Sequence, residues 1–169
     1  MEKNIVLIGM PASGKSTVGV ILAKMLGMNF IDTDLVIQQR EKQRLCEIIS
    51  REGVEGFLTR EEEAVLSVNP VNSVVATGGS VVYSEEAMRH LAAGGTIIYL
   101  RVKKEALFKR LRDINERGVV LRKGETPDEM YENRSVLYEK YADHIIDEKN
   151  SGIEKTVEMI MKVIEKNNL

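Results

Sequence analysis

One stretch near the start of the chain constrains its fold more than any other: Gly9-Met10-Pro11-Ala12-Ser13-Gly14-Lys15-Ser16-Thr17. It fits the pattern G-x-x-x-x-G-K-[ST], a loop whose successive backbone N–H groups point inward at phosphate oxygens. Glycine lets the backbone turn tightly enough to do this. An apolar run, Ile5–Ile8, leads in. Val18, Leu22, Met25 and Leu26 recur at helical spacing on the way out, and Gly27 stops the pattern. The spacing therefore predicts strand, loop and helix, with the positive end of the helix aimed at the bound phosphates. Pro11, Ala12, Ser13, Gly14, Lys15, Ser16 and Thr17 are expected to bind a nucleotide. Lys15 should reach its outer phosphates and the Ser16 hydroxyl should hold Mg²⁺.

Beyond this loop, short apolar runs alternate with amphipathic ones. Strands are expected at Ile5–Ile8, Asn29–Ile31, Val71–Ala76, Thr96–Leu100 and His144–Ile146. Helices are expected at Lys15–Leu26, in pieces between Leu35 and Ser67 broken by Gly53 and Gly56, at Glu85–Ala93, at Lys104–Leu111, and from Pro127 to Tyr141. Thr126-Pro127-Asp128-Glu129 and Ser151-Gly152-Ile153-Glu154 read as capping boxes, where a hydroxyl and a carboxylate satisfy each other's helix-end N–H groups. The second opens a C-terminal helix with Ile153, Val157, Ile160, Met161 and Ile164 on one face. Strands that alternate with helices imply a parallel sheet covered on both faces, an α/β fold. Ligands in such folds gather at the carboxyl ends of the strands. Three of those ends carry chemistry here: Gly9–Ser16, Asp32 with Asp34, and Gly78-Gly79.

The bulk composition narrows the function. With 169 residues, the chain reads as one domain over 1–169, with a substrate region at about 33–60 and a lid at about 112–125. The lid is expected because this stretch loses periodicity and is dense in charge and glycine. A net charge of −2 gives no basic field for nucleic acid or an anionic membrane. A single cysteine, Cys46, permits no internal disulfide. No run approaches the ~20 apolar residues of a membrane span. A cytoplasmic monomer acting on a small molecule is the expectation, with neither nucleic acid nor membrane as partner. His90 and His144 lack partners at metal-ligand spacing, and Arg122 and Lys123 read as solvated charges near the lid.

GTPase signatures D-x-x-G and N-K-x-D do not occur, and neither does the transporter signature L-S-G-G-Q. The third strand ends in Thr77-Gly78, and the acidic group comes instead from Asp32 after the second strand. A phosphate loop in one small domain with a late lid points to a small-molecule kinase.

Phe30-Ile31-Asp32-Thr33-Asp34, Gly56-Phe57, Thr77-Gly78-Gly79, Arg117 and Asn133-Arg134-Ser135-Val136-Leu137-Tyr138 fall in the order and spacing of shikimate kinases. The chain resembles that family over about residues 3–165. The resemblance implies a three-layer P-loop kinase fold of the nucleoside-monophosphate-kinase type, with a five-stranded parallel sheet and helices on both faces. It implies transfer of the ATP γ-phosphate to the 3-hydroxyl of shikimate, with Mg²⁺. It further implies catalytic roles for Lys15, Asp34 and Arg117, with Asp34 binding the accepting hydroxyl. Asp32 would hold Mg²⁺ through water beside Ser16. Arg110 would lie against adenine, and Arg117 would close over the phosphates. Gly78 and Gly79 would offer backbone N–H groups to the acceptor, and Arg134 would grip its carboxylate.

Three positions depart from the family pattern. Leu58 stands where a second carboxylate-binding arginine is usual, Ser80 where a third glycine is usual, and Gly118 where the lid usually has proline. The acid matching Glu61 pairs with the arginine that is missing here, so Glu61 is expected to be free. Arg60 lies nearly opposite Leu58 on a helix, at ~100° per residue. A pocket suited to a neutral or amine-bearing alcohol is thus an alternative to shikimate. A third possibility is a module that binds ATP without catalysis; the presence of Asp34, which binding alone would not need, speaks against it.

Overall fold

The computed structural model describes residues 4–111, 119–148 and 152–167. The strands are β1 (Asn4–Ile8), β2 (Asn29–Asp32), β3 (Ser73–Ala76), β4 (Gly95–Val102) and β5 (His144–Glu148). They form one parallel sheet in the order β2-β3-β1-β4-β5. The helices are α1 (Lys15–Leu26), α2 (Thr33–Glu41), α3 (Leu45–Ser67), α4 (Glu85–Gly94), α5 (Lys104–Arg110), α6 (Pro127–Tyr141) and α7 (Gly152–Asn167).

β1 is buried along its whole length because it is the middle strand, covered on both faces. Successive side chains point to opposite faces of a strand, and two cores result. Val6 and Ile8 pack with Val75, Ile97, Tyr99, Met88, Leu91, Met130 and Tyr138, under α4 and α6. Ile5 and Leu7 pack with Val74, Ile98, Val18, Leu22, Val157, Ile160 and Ile164, under α1 and α7. A third cluster, Ile37, Ile48, Phe57, Ala64 and Val120, ties α2 and α3 to the segment before α6.

The expected architecture is present, with local corrections. Met25 is 58% exposed and Ile153 41% exposed, so neither joins the face predicted for it. Ala23 fills the core beneath α1 instead. β3 starts at Ser73 because Asn72 takes a left-handed turn (φ +45°), which leaves Val71 outside the strand. Gly53 breaks α3 (φ +72°), whereas Gly56 stays helical. A 3-10 turn at Val81–Tyr83, after β3, has no counterpart in the predicted elements. The Thr126 capping box forms as expected: Thr126 Oγ1 accepts from Glu129 N at 3.2 Å, and Thr126 N donates to Glu129 Oε2 at 2.8 Å. The 112–118 part of the lid, with Arg117 and Gly118, and Ser151 of the second box lie outside the described residues.

Candidate active site

The site forms at the carboxyl ends of β1, β2 and β3, where chain reversals leave backbone groups free to face a ligand. Gly14 caps α1 with φ +91°, a left-handed geometry that favours glycine. Lys15 is buried and folds back on its own loop. Its Nζ donates to Gly9 O at 2.8 Å, Met10 O at 2.7 Å and Ser13 Oγ at 3.3 Å. Burial lowers its pKa to about 8, with Asp34 and Asp32 opposing the shift.

Asp32 ends β2 and does two things. Its Oδ1 accepts from Asp34 N at 3.0 Å, capping α2, and its Oδ2 accepts from Ser16 Oγ at 2.6 Å. A hydroxyl and a carboxylate thus meet at the edge of the phosphate loop. That donor set fits a hydrated Mg²⁺, a hard ion that keeps several waters and takes few protein oxygens. The described residues contain no cluster of three or more His, Cys, Asp or Glu able to cage a metal.

A cleft of about 300 Å³ opens above these groups. Pro11, Ala12, Gly14, Lys15, Ser16 and Thr17 form one wall. Asp34, Phe57, Glu61, Gly78, Gly79, Ser80 and Arg134 form the other, with Val119 and Val120 above. Ser13 lies buried beneath Lys15 instead. Burial raises the Asp34 pKa to about 6, with Asp32 adding and Lys15 opposing. At Gly78 a Cβ would come 2.1 Å from Glu61 Oε1 and 2.8 Å from Asp34 Oδ1, so two carboxylates crowd that backbone. At Gly79 a Cβ would meet Pro11 Cδ at 2.7 Å. The Gly78 N–H is already committed, donating to Thr33 Oγ1 at 3.1 Å, so it is not open to an acceptor as expected.

Glu61 is not free as expected. Ser80 Oγ donates to its Oε2 at 2.5 Å. Ser80 and Glu61, 19 residues apart in the chain, thus become partners. Each was visible in the sequence; only their contact was not. Glu61 Oε1 remains buried without a partner among the described residues. Burial raises the Glu61 pKa to about 7; the Ser80 hydrogen bond opposes this and Asp34 adds to it.

Two expected site residues lie apart from the cleft. Arg110 makes a two-pronged pair with Glu148, at 2.8 and 2.9 Å from its Nη2. Leu58 lines a neighbouring cavity of about 240 Å³ that shares Glu61 and Ser80 with the main cleft. Arg60 cannot replace an arginine at 58, since it pairs with Glu52 and Glu63, each at 3.2 Å. Arg134 is buried and lines the cleft, and Tyr138 lies close by with its hydroxyl donating to Gly79 O.

The family model for shikimate kinase matches residues 11–165. The chain belongs to the shikimate kinase family. It is 38% identical over 169 residues to a shikimate kinase of Thermodesulfovibrio yellowstonii, covering 97% of this chain and 96% of that protein. Among solved structures, the shikimate kinase of Acinetobacter baumannii in complex with shikimate superposes with a TM-score of 0.86 at 29% identity, covering 99% of this chain and 95% of that one. The Aquifex aeolicus shikimate kinase gives a TM-score of 0.81 at 31% identity, covering 98% of each chain. As a shikimate kinase family member the chain is a phosphotransferase with an alcohol group as acceptor, in a family that uses ATP as donor. No described helix is long and apolar enough to cross a membrane.

Proposed function

We propose that this chain transfers the γ-phosphate of ATP to a hydroxyl of shikimate, in the cleft between the Gly9–Thr17 loop and Arg134. The observation that carries this reading is the order of groups along one cleft. A phosphate loop with its lysine stands at one end, a buried carboxylate, Asp34, faces it, and a buried guanidinium, Arg134, closes the other.

Phosphoryl transfer asks a protein mainly for alignment and for positive charge around the moving group. The loop N–H groups and Lys15 receive the β- and γ-phosphates, Lys15 exchanging its loop carbonyls for phosphate oxygens. Ser16 and, through water, Asp32 would hold Mg²⁺, which would supply positive charge to the phosphates. Asp34 orients the acceptor hydroxyl and takes its proton. Its raised pKa, about 6, makes it a better base than an ordinary aspartate while leaving it ionised at neutral pH. The Gly79 backbone allows close approach of the acceptor, and Arg134 holds its carboxylate by a charge-assisted hydrogen bond. Arg117 closes over the phosphates and Arg110 serves the nucleotide's base, once released from Glu148. The described residues of this set come from one chain, which is compatible with a monomer, and the proposed location is the cytoplasm.

An amine-bearing acceptor is the second reading, favoured by the unpartnered Glu61 Oε1. It is the weaker one, because a carboxyl with a pKa of about 7 is half protonated at neutral pH and is no fixed counter-ion. A coupled assay with shikimate, quinate and a panel of small alcohols and amino alcohols tests both. Shikimate should be the preferred acceptor, and Leu58→Arg should change its turnover little. Preference for an amino alcohol, with shikimate activity gained by Leu58→Arg, would overturn the proposal.

A further inference from the structure

Arg134 uses two of its five N–H groups within the protein, which limits what it can offer a carboxylate. Nε donates to the Tyr83 hydroxyl at 3.3 Å and Nη2 to the carbonyl of Val120. Nη1 is left beside Gly79, where a Cβ would come within 3.1 Å of it. A carboxylate offers about four acceptor sites, more than the N–H groups Arg134 keeps free, so an acceptor carboxylate in the cleft has room for a second cation.

Another guanidinium stands close by. Arg122 Cζ lies 4.0 Å from the centroid of the Tyr83 ring, and Arg134 Cζ lies 5.2 Å from the same centroid. One tyrosine thus carries both cations, and stacking on its face holds a guanidinium without consuming its N–H donors. Arg122 forms no ion pair with a described residue, whereas Arg51, Arg60, Arg101 and Arg110 all do. It lines the cavity that Leu58 lines, the one joined to the main cleft through Glu61 and Ser80. Of the three carboxylates lining that cavity, Glu61 pairs with Ser80 and Glu62 with Ser84, and Glu55 is the third.

We propose that Arg122, placed by Tyr83, is a specificity-determining residue that binds the acceptor carboxylate together with Arg134. This rests on shikimate, or another acceptor bearing a carboxylate, being the substrate. Leu58 and Arg122 line the same cavity, and Arg122 lies on the 119–126 segment that also contributes Val119 and Val120 to the cleft roof. Acceptor binding then engages that segment twice, through Arg122 and through the Arg134–Val120 hydrogen bond.

The test compares the wild type with Arg122→Ala, using shikimate and its methyl ester as acceptors. Arg122 is exposed and its removal leaves the core intact. The variant should raise KM for shikimate about ten- to a hundred-fold, the loss of one charge-assisted hydrogen bond. The KM for the uncharged ester, the KM for ATP and kcat at saturation should each stay within about two-fold. An unchanged KM for shikimate overturns the proposal, as does an equal rise for acid and ester, or an equal rise for ATP. If the wild type transfers no phosphate to shikimate, the assigned activity fails and this proposal with it. Wild-type turnover with an indifferent variant removes Arg122 alone.

Discussion

Glu61 ties stability to pH, being a carboxyl 2% exposed among charged groups. Its pKa is raised in the fold, to about 7 from an ordinary 4.5. Such a group binds protons more tightly folded than unfolded, so its favourable contribution is complete below about pH 4.5 and is lost as pH rises through about 7. The loss amounts to about 3 kcal/mol. Glu61→Gln keeps the shape and the Ser80 partner but cannot ionise. Its Tm should exceed that of the wild type at pH 8, with the gain shrinking toward pH 5; equal pH dependence in both proteins would refute the assignment. Asp34 is the other raised carboxyl, and its effect falls on rate. A base with a pKa of about 6 loses its proton-accepting form below that pH, so a pH profile of kcat/KM should show an acid limb near pH 6. Asp34→Asn should lower kcat by about 10²–10⁴-fold, the usual value of a positioned base.

Helix α6 shows how an element delivers a residue. Thr126 and Glu129 cap its start reciprocally, with Pro127 in the first turn where its missing N–H costs nothing. Two turns on, the buried face presents Met130, Arg134 and Tyr138 at spacings of four. Met130 and Tyr138 pack into the core while Arg134 faces the cleft. Thr126→Ala should cost about 1 kcal/mol of stability by denaturant titration. Because the cap lies two turns from Arg134, acceptor KM should change less than stability does. In α3 the single break at Gly53 has a reason that helix propensity alone does not supply. Gly53 adopts a left-handed backbone, whereas at Gly56 an added Cβ would press on Glu52 at 2.6 Å, so its role is space within a continuing helix. Both glycines read alike in a sequence, as helix breakers.

At the scale of the molecule, the sheet order places β1 between β3 and β4, so the phosphate loop emerges from a central, wholly buried strand. The cleft draws on α1, on the turns after β2 and β3, and on α3 and α6. A ligand bridging these parts stabilises only the assembled fold. At 100 times its Kd it adds about 2.7 kcal/mol. For a chain of this size that corresponds to a rise in Tm of about 5–10 °C, which a thermal melt with ATP and Mg²⁺ should show.

The alternation of strands and helices, the two-sided sheet and the phosphate loop follow from local pattern, because apolar period and turn residues are written within a few positions of where they act. Lys15, Ser16, Asp32, Asp34 and Arg134 could be named for the same reason: each sits in a short motif or at a strand end. What needed the tertiary structure are contacts between residues distant in the chain. Ser80 donates to Glu61 within one wall of the cleft, Thr33 takes the Gly78 N–H that the motif offers the acceptor, and Arg110 turns to Glu148. Tyr83 brings Arg122 and Arg134 onto one ring, where the linear chain shows only a charge in a loop. Local sequence determines which backbone shapes can form. The partner of a buried polar group is decided by packing, because only the folded chain excludes the water that would otherwise satisfy it.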